Sequence, residues 1–374
     1  MHLLLVIGSL GGGGAERVIT RLAEAWVASG VMVTVATFDR PDGDFYPLAS
    51  GVVRRSMPLQ PRGMTSYLHH AIARSLWLRT VMREESPQAV ICFTDRTNVV
   101  SLLAALGLGI PVLVSERTDP EMYSPGRLWA GMRRLVYSSA AMIVVQTQKV
   151  RLWSERLFPR TRTCVIPNPA PVNLPAIRRV SNSTIIAIGR LVPEKGFDVL
   201  IDALALIADR HPTWKLRILG EGPHRTSLEQ QIEGLGLSGR VELPGRCHDV
   251  LEQLAETEVF VLSSRFEGFP NALVEAMACG RAVVSTQCSG SSDLIEPGRN
   301  GLLVPVGDSV ALAQSMEELL LDPLLRSRLG QAAAEIRSQL SMARVLQMWN
   351  NALTECGCSM AAPSVATERA ARAA

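Results

Sequence analysis

Two doubly wound α/β halves joined by a proline-rich linker are what this sequence predicts, and three observations predict it. Short apolar runs alternate with stretches of helical period along nearly the whole chain, the signature of parallel sheets wrapped by helices. That alternation breaks once, at Pro167, Pro169, Pro171 and Pro175 and the polar stretch Arg178 to Ser183, and it restarts at Thr184-Ile185-Ile186-Ala187-Ile188-Gly189. The length, 374 residues, exceeds what one core usually supports. Two domains of ~150–190 residues are therefore expected.

The elements follow in order. In the first half, strands are expected at 3–8, 31–38, 89–93, 111–115, 141–146 and 163–166. Between the first two, Ala15 to Ser29 puts Val18, Leu22 and Trp26 on one face, and Gly30 ends that helix, giving a βαβ unit. In the second half, strands are expected at 184–189, 214–219, 240–243, 258–262, 282–285 and 301–304. Helices are expected at about 196–209, 223–234, 248–256, 270–279, 308–321 and 323–337, with a last one at about 341–353. The domains are then 1–166, a linker at 167–183, and 184–340. A terminal helical segment, 341–356, can pack back on the first domain, and an Ala- and Ser-rich tail, 357–374, is expected to be disordered. Two such halves place a cleft between facing strand carboxyl ends, where doubly wound sheets bind ligands.

Bulk composition excludes several classes. Apolar residues make up 47% and charged residues 20%, with a net charge of +3, which is ordinary for a globular protein and no argument for nucleic acid. Seven scattered cysteines without a CxxC pair are neither a disulfide framework nor a zinc site and fit reduced cytosolic thiols. Leu3 to Ile7 is too short and lacks the basic flank of a signal peptide, and no run approaches the ~20 apolar residues of a membrane span. A cytoplasmic protein is expected, with any membrane contact peripheral, on the inner face of the cell membrane. Basic charge is nevertheless concentrated locally. Nine Lys and Arg stand against three acids from Arg117 to Arg162.

Chemistry concentrates near the carboxyl end. Glu267 and Glu275 straddle a turn in Glu267-Gly268-Phe269-Pro270-Asn271-Ala272-Leu273-Val274-Glu275, just after the apolar run Val259 to Leu262. Pro270 suits the first turn of a helix and Gly280 its stop. Glu267 then lies in the loop at the helix mouth and Glu275 about a turn inside. Free N–H groups and the positive dipole end at that mouth attract an anion such as a diphosphate. The spacing alone equally suits an acidic loop before an ordinary amphipathic helix. Arg190 and Lys195, five apart across a Pro turn, can reach one point outside the sheet edge, a planar fork and a point charge for diphosphate oxygens. Gly220-Glu221-Gly222-Pro223 reads as a turn. Gly11 to Gly14 follows the first strand and lets a backbone approach a ligand closely. It lacks the spacing and the acidic partner of a dinucleotide fingerprint.

Together these pieces resemble the retaining glycosyltransferases of family four, which have the GT-B fold, two Rossmann-like domains facing a central cleft. The matching motifs are Gly11–Gly14, Gly189-Arg190-x4-Lys195-Gly196, Gly220-Glu221-Gly222-Pro223, Glu267-x7-Glu275 and Asn300-Gly301-Leu302-Leu303-Val304-Pro305, over roughly residues 1–350. The resemblance implies that Arg190 and Lys195 hold the donor diphosphate and stabilise charge on the leaving group. It implies that Glu267 faces the donor sugar, as a third catalytic residue, and that Glu275 takes the ribose hydroxyls. Gly12, Gly13, Gly14, Phe269, Asn271 and Ala272 complete the implied donor site. No DxD cluster stands in a suitable place, because Asp39, Asp42 and Asp44 follow a strand of the other domain, so no metal and no cofactor beyond the nucleotide sugar, a UDP-sugar by expectation, is implied.

One departure concerns the acceptor. Many relatives carry a histidine after the strand matching 111–115, where this chain reads Val114-Ser115-Glu116-Arg117-Thr118-Asp119-Pro120. Glu116 or Asp119 can replace it, Asp119 before proline can simply set a turn, and Asp95, Arg96 and Arg117 are further acceptor candidates. The Ser-Glu-Arg-x-Asp-Pro stretch is similar to enzymes that extend lipid-diphosphate-linked glycans for exopolysaccharide or N-glycan assembly, some of them N-acetylgalactosamine transferases. Leu128, Trp129, Met132, Leu135 and Val136 fall at helical spacing beside Arg127, Arg133 and Arg134. Such a helix either lies on an anionic membrane or packs inward with a solvated basic side. The expected function is retaining transfer of a hexose or N-acetylhexosamine to a lipid-linked glycan. A nucleotide-sugar 2-epimerase of the same architecture and a non-catalytic nucleotide-sugar sensor are the alternatives.

Overall fold

Parallel pairing explains why the strand sequences are almost continuously apolar. Helices cover both faces of each sheet, so both alternating sets of side chains are buried. The computed structural model describes residues 1–58, 67–123, 126–175, 183–247 and 249–358. Most of the second half of the expected linker, 176–182, and the tail beyond 358, expected to be disordered, lie outside the described residues.

The first half contains β1 (His2–Ile7), α1 (Gly14–Ala28), β2 (Met32–Thr37), β3 (Val52–Ser56), α2 (Tyr67–Glu85), β4 (Ala89–Phe93), α3 (Asp95–Ala105), β5 (Val112–Ser115), α4 (Arg127–Val136), β6 (Met142–Val145), α5 (Gln148–Leu157) and β7 (Thr163–Val165). The second contains β8 (Thr184–Ile188), α6 (Phe197–Ile207), β9 (Lys215–Leu219), α7 (Arg225–Gly234), β10 (Val241–Gly245), α8 (Val250–Ala255), β11 (Val259–Leu262) and α9 (Asn271–Ala278). It continues with β12 (Ala282–Thr286), α10 (Ser289–Ser292), β13 (Leu302–Val304), α11 (Ser309–Leu321), α12 (Pro323–Ala333) and α13 (Ile336–Gln339). The last helix is α14 (Met342–Glu355).

The strands form two sheets, ordered β3-β2-β1-β4-β5-β6-β7 and β10-β9-β8-β11-β12-β13. All the strand pairings are parallel. In each sheet the order reverses beside the first strand, between β1 and β4 and between β8 and β11. Loops leaving those neighbouring strands diverge to opposite faces and open a crevice at the carboxyl edge.

Two compact units result, Met1–Asn168 with the segment from Met342 onward, and Pro169–Ser341. In the first, Leu3, Leu5 and Ile7 pack with Val18, Leu22 and Trp26 on one face, and Leu4 and Val6 pack with Met82, Val99 and Trp153 on the other. The first face is completed by α14. Trp349 is 1% exposed. It stacks on Phe93 at 6.0 Å and meets Trp26 edge-on at 6.3 Å, while the Trp26 indole N–H donates to Asn350 at 2.9 Å. In the second unit Ile185 and Ala187 face α6 and α11, and Ile186 faces α9.

Strand β3 was not among the expected strands. It is an edge strand of sequence Val-Val-Arg-Arg-Ser with alternating half-buried and exposed positions, so no apolar run marks it. Its charges cover the edge: Arg54 pairs with Asp44, and Arg55 with Glu85 at 2.6 Å.

Removing the α14 anchor tests this packing. Trp349→Ala should destabilise the first unit by ~3–5 kcal/mol, as for other large-to-small core changes, read as a lowered urea midpoint. A loss below ~1 kcal/mol would show that α14 is not part of that core.

Candidate active site

The glycine loops of the second unit are set by close backbone approach. Gly220 has φ +150°, and a Cβ there would lie 1.8 Å from the Gly189 carbonyl. Gly220-Glu221-Gly222-Pro223 thus lets the chain after β9 pass against the chain after β8, a turn as expected. Gly196 has φ +62°, and a Cβ there would lie 2.2 Å from the Ser263 carbonyl. Only glycine suits that position. The loop after β8 is thereby pressed onto the end of β11, and this contact brings Lys195 to Glu267.

Lys195 closes a short 3-10 turn, Pro193–Lys195, and its ammonium lies 2.6 Å from Glu267 Oε1. Ser264 Oγ donates to the same oxygen at 2.6 Å, and Ser289 Oγ donates to the Glu267 carbonyl at 2.9 Å. The pair is partly open to solvent, with side chains 22% and 11% exposed. Arg190 is exposed, and its guanidinium makes no hydrogen bond or ion pair among the described residues. A free guanidinium thus shares its loop with an ammonium that already has a carboxylate partner.

Pro270 stands just outside α9 rather than within its first turn, and no side chain caps the helix. Asn271 and Ala272 are its half-buried first residues, and Glu275 lies a turn inside, 6% exposed. The Phe269 side chain packs into the core, and its carbonyl accepts from the Asn271 N–H at 3.0 Å. Gly290 packs against this turn: a Cβ there would lie 2.4 Å from Pro270 Cδ.

In the first unit, Gly13 is the N-cap of α1 without a side-chain hydrogen bond, Gly14 begins the helix, and exposed Gly12 lies beside the Phe45 ring. At the mouth of α1 the Glu16 side chain folds back over Gly13: a Cβ there would lie 2.1 Å from Glu16 Oε2. Glu16, in its first turn, has a carboxyl pushed up by burial.

The acceptor candidates separate clearly. Asp119 is 2% exposed. Its carboxylate accepts from the Glu121 N–H at 3.0 Å and the Lys149 ammonium at 2.8 Å, so it organises a turn and is already ion-paired. Arg117 lies with its guanidinium 3.7 Å from the Phe93 ring centroid and donates to Asn168 Oδ1 at 2.7 Å. Burial lowers its pKa to about 9. It packs rather than projects. Asp95 opens α3 behind Thr94, whose φ of +77° is left-handed for a threonine. Arg96 lies over the Trp129 ring at 5.7 Å.

Glu116 is 1% exposed and sits in a buried polar network. The Tyr137 hydroxyl donates to Glu116 Oε1 at 2.6 Å, Asn98 Nδ2 donates to the Tyr137 oxygen at 3.0 Å, and Arg133 approaches Glu116 at 3.6 Å. Desolvation pushes the Glu116 carboxyl up, with Arg133 and Tyr137 opposing and Asp95 reinforcing it.

Arg133 corrects one expectation. It is not on a lipid- or water-facing stripe of α4 but is 8% exposed, with its guanidinium 4.8 Å from the Trp153 ring, and Trp129 is 9% exposed beside it. The solvent face of α4 carries instead Arg127, Leu128, Arg134 and Leu135, the two leucines 54% and 78% exposed. Asn98, Arg133 and Tyr137 were missed as a group. The i, i+4 spacing of Arg133 and Tyr137 on one helical face was the available signal.

Comparison with known proteins agrees with the division into two units. Residues 177–336 match the model for glycosyl transferases group 1, and residues 13–169 match that of a glycosyl transferase 4-like domain. The two matches divide the chain close to where it divides into units.

The chain is a glycosyltransferase, with a 4-like domain followed by a group 1 domain.

A relative in Campylobacter jejuni, an α-1,4-N-acetyl-D-galactosaminyltransferase acting on an undecaprenol-diphosphate-linked glycan, is 28% identical over 364 residues, 95% of this chain and 99% of its own. The exopolysaccharide phosphotransferase SCO2592 of Streptomyces coelicolor is 34% identical over 234 residues, 62% of this chain. The match spans only a quarter of that relative's length, 25%. Among solved structures, Anabaena HepE in complex with UDP and glucose superposes with a TM-score of 0.76 at 23% identity, covering 94% of this transferase chain and 99% of its own. The shared architecture is that of GT-B glycosyltransferases.

The raised carboxyl of Glu116 gives a pH test. A folded pKa above the unfolded one contributes stability that is present at low pH and is lost as pH rises through the folded value. Glu116→Gln mimics the protonated form, so its stability relative to the parent should improve as pH goes from 5 to 8, read by urea denaturation at both ends. A difference independent of pH would place the Glu116 pKa at its ordinary value.

Proposed function

We propose that this glycosyltransferase is retaining and moves a hexose or N-acetylhexosamine from a nucleotide sugar, with UDP as carrier, to a lipid-linked glycan. The observation that carries the reading is the Lys195–Glu267 contact of 2.6 Å at the uncapped mouth of α9, with Arg190 exposed on the same loop. Cleaving a bond from sugar to diphosphate builds negative charge on the leaving phosphate. Preorganised cations and amide dipoles in a fixed site offset that charge. Arg190, Lys195 and the Ala272 N–H at the mouth of α9 take this part in the proposal, the Asn271 and Leu273 N–H groups already donating to the Phe269 and Pro270 carbonyls, with no metal assigned.

The bond from the anomeric carbon to the acceptor oxygen forms on the face from which the diphosphate departs. The acceptor hydroxyl proton passes to the departing phosphate oxygen, so no separate base is required. Glu267, held by Ser264 and Lys195, faces the donor sugar, and Glu275 takes the ribose hydroxyls. The Campylobacter relative, aligned over nearly its full length, supports a polyprenyl-diphosphate-linked acceptor. HepE with UDP supports the nucleotide. A thermal-stabilisation screen of UDP-, GDP- and ADP-sugars, followed by turnover on polyprenyl-diphosphate glycans, tests the proposal. Stabilisation by none of the donors would end it.

The two glutamates should behave differently. Glu275→Ala should weaken free UDP about tenfold, the loss of roughly one good hydrogen bond in a closed site. Glu267→Ala should leave UDP affinity equal to or above the parent's, because Lys195 then loses its competing carboxylate, yet transfer should fall by ~10²-fold. Equal loss of UDP affinity in both variants would mean that the roles are wrongly assigned.

Peripheral attachment to an anionic inner membrane surface completes the proposal. Among the described residues, no helix is long and apolar enough to cross a membrane. The exposed set Met122, Tyr123, Leu128 and Leu135, with Arg127 and Arg134, joins apolar area to positive charge. Each basic residue near such a surface contributes about 1 kcal/mol, screened by salt. Arg127→Glu with Arg134→Glu should abolish salt-sensitive binding to phosphatidylglycerol vesicles, whereas transfer to a soluble acceptor should persist. Vesicle binding unchanged in that double variant would remove α4 from the membrane assignment.

A further inference from the structure

Arg265 stands two residues before Glu267 and takes no part in the chemistry proposed above, yet its bonds straddle Lys195. Its main-chain N–H donates to the Glu194 carbonyl at 2.7 Å. Its guanidinium donates to the Pro193 carbonyl at 2.6 Å and to both Asp198 carboxylate oxygens at 2.9 and 2.6 Å. The anchors therefore fall on the two residues before Lys195 and on the third residue after it. The Lys195 carbonyl is itself held by Ser263 Oγ at 2.9 Å, and Gly196 closes on the Ser263 carbonyl.

A partly exposed ion pair usually contributes little to stability, and both side chains here are well exposed, 37% and 47%. A bidentate guanidinium–carboxylate fork is different in one respect: it fixes orientation as well as distance. In this fork the fixed object is the six-residue stretch Pro193–Asp198, which carries a single ammonium toward the mouth of α9. Lysine has four rotatable stem bonds, so the position of its charge depends on where its backbone is held.

We infer that Arg265, through its fork with Asp198 and its bond to the Pro193 carbonyl, is a positioning residue that sets Lys195 against the β-phosphate of the donor nucleotide. The inference rests on the donor-site reading above. The fork also shows in the ionisation of the pair: the Arg265 hydrogen bonds hold the Asp198 carboxyl below its ordinary range.

The test compares UDP with UMP, which lacks the β-phosphate, by calorimetric titration of the full chain. The variants are Arg265→Met, Asp198→Asn, the double variant and Lys195→Ala, each checked for an unchanged melting temperature. The expected result is a UDP-over-UMP preference lowered about tenfold in Arg265→Met, as for loss of a charge-assisted contact. UMP affinity should be unchanged, Asp198→Asn should show a similar loss, and the double variant should fall no further than either single one. Arg265→Lys, which keeps the charge without the fork, should fall between Arg265→Met and the parent. If Lys195→Ala loses the preference while Arg265→Met keeps it, or if Arg265→Met weakens UDP and UMP alike, the positioning role is overturned and the donor site stands. If Lys195→Ala keeps the parental preference, or UDP does not bind the parent, the donor-site reading is overturned and the inference with it.

Discussion

The proposed donor side depends on one constraint, the pressing of the loop after β8 onto the end of β11. Parallel strands on either side of a switch point deliver their loops to the same edge, but adjacency alone aligns nothing. Here the alignment comes from a left-handed glycine, Gly196, fitted against the Ser263 carbonyl, and from Ser263 and Arg265 bonding back to the main chain around Lys195. Only with the two loops in that register does the Lys195 ammonium reach Glu267 Oε1 at 2.6 Å beside an uncapped helix. The contact also gives the site a charge logic. Glu267 balances Lys195 in the structure, and in the proposed donor site a diphosphate takes over the cation and leaves the carboxylate to a sugar hydroxyl.

The first unit solves a different problem, the burial of polar groups at the carboxyl edge of its sheet. Arg117 leaves water to lie on Phe93, and desolvation lowers its pKa to about 9, a sign that the cation is weakly compensated there. Asn168, where the chain leaves the unit, accepts from both Arg117 and Gln146 at 2.7 Å. Trp349, on the helix by which the chain returns, stacks on the other residue of that set, Phe93. Both crossing segments are thus tied to the same few side chains. Glu116 is another buried acid, answered by Tyr137, Asn98 and Arg133 rather than left to solvent.

Much of this was legible in the residues. Buried parallel strands are continuous apolar runs, so Leu3 to Ile7, Ile185 to Ile188 and Val259 to Leu262 announce themselves. The glutamate pair and the Arg190–Lys195 loop were legible because their spacing follows such runs directly. Three things were hidden, each for a physical reason. Strand β3 has one neighbour and two arginines, so its pattern is that of a loop. Arg133 was counted as a solvated charge because a sequence window cannot show that Glu116 and the Trp153 ring wait beneath the helix. The fork of Arg265 on Asp198 joins residues 67 positions apart, and only the folded register brings them together.

The most direct test of the account asks whether side chains, rather than a metal ion, take up the charge of the leaving diphosphate. Turnover of the UDP-sugar that binds best, on a polyprenyl-diphosphate glycan, is measured in EDTA for the parent and for Lys195→Ala. The account predicts that the parent keeps its rate in the chelator and that the variant, equally folded, loses ~10²–10³-fold in turnover. A parent silenced by EDTA and restored by magnesium or manganese, or a Lys195→Ala variant as fast as the parent, would contradict it.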